Sequence, residues 1–417
     1  MIKLSKSTTS KRIFIWNAIG SGCNAFSTVI ILMIINRVFG QAEGGIATIS
    51  LALAQQMLTI SNFETATHYI TDSKKEVGFD VHFGTKTILF IIAIISSCVI
   101  ALYKYDFYKA AVVICFCIYK CTDGFATLST GVLQRIGRLD LAGMSLTVKT
   151  LAAIIMLIAV SVLSGNLLLA SGMVAVCAVL WTVFVDMALI ASFLPLEINF
   201  SIKKIKTLVL DCLPLFLTTF LFTYIINQPK YVIDSLLSEE QQNAFGIIFM
   251  PASVIAMLSL FIYRPLLTTL TSYWAENNTK SFLGMVAKIS LILLGLTVLC
   301  LAGCATVGIP ILSLLFKVDL AGLTTELCLI IIGGGLYAFS TLIYNMLAIF
   351  RKQKIMLAAC AVVYVFAIII TKPLIIGAKL NGAALSYVLS NLLLSILLLS
   401  CCMFTIKKKG DCDNGKG

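Results

Sequence analysis

Apolar residues gather in about twelve long runs separated by short polar gaps, and no run shows the strict alternation of a half-buried strand. The runs fall at 13–38, 44–70, 84–103, 107–131, 142–164, 167–193, 208–228, 242–272, 283–309, 322–350, 355–377 and 381–406. Each is close to the ~20 residues that a helix needs to cross a hydrocarbon core. Barrel strands are shorter and alternate, so helices are the spanning form. The pattern predicts an all-α polytopic membrane protein.

Composition agrees, with 59% hydrophobic and 12% charged residues. The net charge of +12 changes meaning once the cations are sorted by gap. Alternate gaps collect 22 of the 31 Lys and Arg residues, including Lys3, Lys6, Lys11, Arg12, Lys74, Lys75, Lys86, Arg135, Arg138 and Lys407–Lys409. The other gaps hold 7: Arg37, Lys104, Lys109, Lys230, Lys317, Lys372 and Lys379. Cytoplasmic loops carry the basic excess, so both termini are expected in the cytoplasm and no nucleic-acid partner is implied. The first run lacks a small-residue cleavage pattern and is expected to stay as the first helix. The 14 cysteines sit almost entirely within apolar runs without metal-ligand spacing, and read as small buried hydrophobes.

An internal repeat orders the spans into two six-helix lobes, 1–194 and 208–417, joined by a cytoplasmic linker at 195–207. Asn36-Arg37-Val38-Phe39-Gly40 leads to Gly45-Ile46, as Pro229-Lys230-Tyr231-Val232 leads to Gly246-Ile247, making Arg37 and Lys230 pseudo-equivalent. Leu133–Arg138 and Leu347–Lys352 are each a basic turn between the fourth and fifth helices of a lobe. An even number of spans per lobe gives parallel repeats. No loop is long enough for a folded domain outside the membrane, and no catalytic constellation, metal site or cofactor is expected.

Ionisable groups inside spans are costly and point to function. The first lobe holds Glu64, His68, Lys120, Asp123, Lys149 and Asp186. Lys120, Asp123, Thr127, Thr130 and Gln134 fall within roughly an 80° arc of one helix. That face is either a buried ion pair with packed hydroxyls or the lining of a cavity. Asn17, Ser21, Asn24 and Thr28 form a stripe about 60° wide on the first span, which is either helix glue or a polar wall. The second span is the most polar, with Gln55, Gln56, Asn62, Glu64 and His68. Glu64 and His68 stand at i,i+4, as an interfacial pair or a proton-coupling site. Lys149 and Asp186, at similar depth, read as mutual counter-charges. Together Arg37, Lys120 and Lys149 make a ladder of cations through the membrane, suited to an anion that crosses.

The run Asn227-Gln228-Pro229-Lys230-Tyr231-Val232-Ile233-Asp234, then Phe245–Pro251 and Arg264-Pro265-Leu266, resembles the polysaccharide repeat-unit (O-antigen and capsule, Wzx-like) flippases of the MOP exporter superfamily. Pro373–Gly377 followed by Asn381-Gly382-Ala383-Ala384 is similar to a pattern shared across that superfamily. The resemblance implies a MATE/MOP-like fold and alternating access. It also implies movement of an undecaprenyl-diphosphate-linked oligosaccharide to the outer leaflet of a bacterial cytoplasmic membrane. Its pathway partners would include a polysaccharide polymerase and glycosyltransferases, with membrane lipid around the chain.

Within that reading, Arg37, Lys120, Lys149, Lys230, Asn17, Asn24, Gln55 and Asn62 are the expected substrate contacts. Glu64, His68, Asp123 and Asp186 are the ion-coupling candidates. The alternatives are a multidrug or cation antiporter of the same superfamily, a peptidoglycan lipid-precursor flippase, and a membrane enzyme. The last is disfavoured because no large outward loop or paired carboxylates with a histidine occur.

Overall fold

The computed structural model describes residues 9–72 and 77–414; Lys3, Lys6, Lys74, Lys75 and Lys416, used for orientation, lie outside the described residues. Among the described residues the chain is helical, without strands. Ten helices among the described residues are long and apolar enough to cross a membrane. Two further stretches complete the pattern. The helix Gln41–Asn62 is more polar than those ten, and Gln353–Lys407 is one stretch whose backbone leaves helical geometry at Ala378 and Lys379. With these, the described residues hold the twelve segments that the hydropathy pattern predicts.

Two compact units divide between Thr223 and Tyr224. The first contains α1 (Ser10–Phe39), α2 (Gln41–Asn62), α3 (Thr65–Thr71), α4 (Phe79–Lys104), α5 (Phe107–Ile136), α6 (Leu139–Ser164), α7 (Leu167–Trp181) and α8 (Met187–Ala191). A π turn at Thr182–Asp186 joins α7 to α8. The unit also takes in the first part of α9 (Ile202–Leu236), which begins within the segment read as a linker.

Here α5 is the hub. It packs against α2, α4 and α7, while α1 lies along α6. The α1–α6 crossing is close because glycines meet there: a Cβ on Gly20 would stand 2.6 Å from the Gly143 carbonyl, and one on Gly143 would overlap the Trp16 carbonyl. Small residues let backbones approach in this way. Leu208 and Cys212 of α9 close the core against Phe63, Val81 and Leu89, and the Phe216 ring stacks on Phe63 at 4.0 Å.

Turn chemistry sets the helix ends. Asp106 caps α5 by accepting from the Tyr108 and Lys109 amides at 3.1 and 3.2 Å. Gly137, at φ +80°, ends it in the left-handed conformation, and the Arg138 amide returns to the Leu133 carbonyl at 2.7 Å. The span expected at 44–70 departs from this regularity. Phe63 and Glu64 both adopt left-handed geometry, at φ 45° and 55°, which splits the run into α2 and α3.

The second unit holds the remainder of α9, then α10 (Glu239–Ile248), α11 (Met250–Tyr263), α12 (Leu267–Ala275), α13 (Thr279–Gly303), α14 (Ile309–Phe316), α15 (Thr324–Ile349) and α16 (Gln353–Asn414). The acidic segment before Gly246 is helical: Ser238 and Gln241 form a reciprocal capping box that starts α10 at Glu239. A π turn at Cys304–Gly308 links α13 to α14. The α15 and α16 helices form the centre of this unit, with the Ser340 and Ser395 hydroxyls 2.8 Å apart and Tyr387 buried against Phe249.

Candidate functional site

Three charged side chains converge inside the first unit. On α5, Lys120 and Asp123 share a face by their i,i+3 spacing, and Lys149 reaches them from α6. Lys149 Nζ lies 2.9 Å from Asp123 Oδ1, and Lys120 Nζ lies 3.5 Å from Asp123 Oδ2. The three side chains are 2%, 6% and 10% exposed for Lys149, Lys120 and Asp123. Asn24 of α1 offers its Oδ1 to Lys120 at 3.5 Å, and the Lys120 ammonium stands 5.0 Å from the Tyr119 ring centroid.

Two ammonium groups share one carboxylate, and the charge of Lys149 also acts on the nearby carboxylate of Asp186. A buried charge is expensive unless countered, so these groups hold one another in place.

The geometry corrects one pairing. Lys149, expected to neutralise Asp186, acts on that carboxylate only through its charge and makes its hydrogen bond to Asp123. Asp186 instead accepts from Ser145 Oγ at 2.6 Å, and the Trp181 indole donates to the same hydroxyl at 2.9 Å. Asp186 Oδ2 is buried without a hydrogen-bond partner. The carboxylate sits in the π turn Thr182–Asp186, where one extra residue rotates it relative to a continuous helix.

The Glu64–His68 pairing is likewise replaced. Because the backbone breaks at Phe63–Glu64, Glu64 accepts from Thr67 Oγ1 at 2.8 Å and from Asn62 Nδ2 at 3.4 Å. His68 Nδ1 faces His82 Nε2 at 3.4 Å, and His82 Nδ1 donates to the Gly78 carbonyl at 3.0 Å.

The other expected contacts are spread over the chain. Asn17 and Gln55 are exposed, and Asn62 turns toward Lys86. Arg37 is exposed in the last turn of α1, about 20 Å along the helix axis from Asn24. Lys230 belongs to the second unit, where its ammonium lies 4.1 Å from the Phe249 ring centroid and 3.3 Å from Asn227 Oδ1.

Three residues of evident chemistry escaped the sequence reading. Ser145 and Trp181 gave no signal there. Lys86 was sorted with the loop cations although it falls inside the run 84–103; it is fully buried on α4. Among the described residues, no group of three or more His, Cys, Asp or Glu side chains is placed to hold a metal ion.

No family model matches the chain, and no curated protein matches it. Solved structures do. An inward-facing multidrug resistance MATE family transporter of the MOP superfamily aligns with a TM-score of 0.69 at 13% identity, over 94% of this chain and 96% of that one. An outward-facing conformation of a multidrug resistance MATE family transporter of the MOP superfamily gives a TM-score of 0.61 at 14% identity, over 95% of each chain. A MOP superfamily transporter from Pyrococcus furiosus Vc1, described by the reverse polarity of its binding pocket, gives 0.61 at 14% identity, also over 95% of each. At such identities the likeness is one of fold, and the chain has the fold of the MATE transporters of the MOP superfamily.

Proposed function

We propose that this chain is a membrane transporter that moves an undecaprenyl-diphosphate-linked oligosaccharide repeat unit from the cytoplasmic to the outer leaflet of a bacterial cytoplasmic membrane by alternating access. The observation that carries the reading is the buried Lys120–Asp123–Lys149 cluster, in which two lysines share one hydrogen-bonded carboxylate. A diphosphate meets those lysines with several acceptor oxygens, and charge-assisted hydrogen bonds to ammonium groups are among the stronger polar contacts. Asn24 beside the cluster supplies an amide suited to a sugar hydroxyl. The transfer makes and breaks no bonds, so no nucleophile or cofactor is required. The relative described by reversed pocket polarity fits the idea that charge sign sets the cargo on this fold.

A cation antiporter is the second reading. It is favoured by Asp186, whose Oδ2 is buried without a partner. A peptidoglycan lipid-precursor flippase shares the diphosphate chemistry of the first.

The test is translocation of a prenyl-diphosphate oligosaccharide in liposomes containing the purified protein, scored by cleavage of the sugar by an external glycosidase. Protein-dependent cleavage supports the flippase. Efflux of a cationic dye without cleavage of any of several glycans moves the assignment to antiport.

A further inference from the structure

Lys86 lies about 10 Å into α4, buried to 0% exposure, where a lysine near a membrane surface would ordinarily extend its stem toward water. Its ammonium instead turns inward to the break between α2 and α3. It donates to the main-chain carbonyl of Asn62 at 2.9 Å and to Thr127 Oγ1 at 2.9 Å, with Asn62 Oδ1 and Thr65 Oγ1 each at 3.5 Å. These oxygens come from α2, α3 and α5. None carries a formal charge.

The geometry around them is already committed. Thr127 gives its proton to the Gly124 carbonyl at 2.7 Å or to Asn62 Oδ1 at 2.9 Å, which leaves a lone pair toward Lys86. Thr65 donates to the Asn62 carbonyl at 3.2 Å. The Asn62 amide nitrogen is taken up by Glu64, so its oxygen faces the ammonium. Glu64 is thus the nearest carboxylate in the network, one hydrogen bond removed from the cage.

A carbonyl at the C-terminal end of an interrupted helix, joined by hydroxyl and amide oxygens from neighbouring helices, is the donor set that coordinates an alkali cation in membrane proteins. The negative end of the α2 dipole points into the same space. We infer that the α2–α3 break is an alkali-cation site that the chain keeps filled with its own ammonium. Lys86 is a tethered cation, and the break needs no free sodium or potassium while it is present. The inference concerns a site separate from the Lys120–Asp123–Lys149 cluster and does not rest on the proposed cargo.

The full-length chain, purified in detergent, is unfolded thermally in choline chloride, NaCl or KCl at matched ionic strength. The wild type should melt at one temperature in all three. Lys86→Ala, which opens the cage, should melt low in choline and rise saturably by about 5 °C in NaCl or KCl. Lys86→Met, whose apolar stem fills the space, should melt low and stay there. Adding Thr127→Val to Lys86→Ala should abolish the rise. The inference is overturned if Lys86→Ala melts alike in the three salts, or if the wild type gains as much from sodium as the variant does. Lys86→Ser, which adds a hydroxyl oxygen, is the second variant, read by binding of radioactive sodium to the purified chain. If neither small variant folds in any alkali salt, the cage does not accept a free ion and the inference fails.

Discussion

Lys149 Nζ meets Asp123 Oδ1 at 2.9 Å, so that a cation of α6 is held by a carboxylate of α5, and Lys120 is left to share what remains of that carboxylate. This contact makes Asp123 the carboxylate that both lysines share. Its removal exposes two buried ammonium groups to each other.

Asp123→Ala should therefore lower stability by about 3–5 kcal/mol, the cost typical of breaking a buried ion pair from one side. Lys149→Met should cost less, because Lys120 still pairs with Asp123. Thermal unfolding of the purified variants checks the order. An Asp123→Ala protein as stable as Lys149→Met would mean that water reaches the cluster.

On the proposed function, Lys120→Ala should cut oligosaccharide transfer by roughly tenfold, the value of one charge-assisted hydrogen bond. Arg37→Ala should also reduce transfer, and membrane insertion should persist in both. Lys120→Arg should retain part of the activity. Equal loss in the arginine and alanine variants, measured in the liposome assay, would reassign Lys120 to holding Asp123 in place.

Ser145 Oγ links the Trp181 indole to Asp186. In Ser145→Ala both groups lose that partner inside the unit, and each buried polar atom left unmade costs about 1–3 kcal/mol. The expected result is a lower unfolding midpoint together with a shift in Trp181 emission, compared with a control in which the other tryptophans are replaced. Unchanged emission would show that the indole finds another acceptor.

Gly143 meets the Trp16 backbone at the α1–α6 crossing. Gly143→Val forces the helices apart and should destabilise by about 1–3 kcal/mol. Gly22→Ala on α1, the helix that Gly143 meets, where an added Cβ finds nothing within 4 Å, should be close to neutral and serves as the control. Paired melting curves decide the point.

The spans were legible because lipid demands length and hydropathy, which are written locally. Even the boundary between the runs ending at 377 and starting at 381 survives as the departure at Ala378 and Lys379 within α16. The break at Phe63–Glu64 was not legible, since left-handed geometry there falls on neither glycine nor asparagine. Partner choice was lost for a related reason. Spacing puts Lys120 and Asp123 on one face, but the rotation of α6 against α5 decides that Lys149 finds Asp123, and rotation depends on the whole packed unit. Lys86 was mis-sorted because a lysine near a span end reads as a loop charge until its burial is known.

The polarity of α2 bears on how the chain is made. Its core carries Gln55 and Gln56, it stands outside the ten strongly apolar helices, and Gly40 alone connects it to α1. During synthesis such a segment enters the bilayer most readily as one arm of a hairpin with its apolar predecessor. Were α2 left outside, every later loop would emerge on the opposite face, against the bias of its basic residues. The single-residue elbow at Gly40 thus ties the fate of a weakly apolar helix to that of its strongly apolar neighbour.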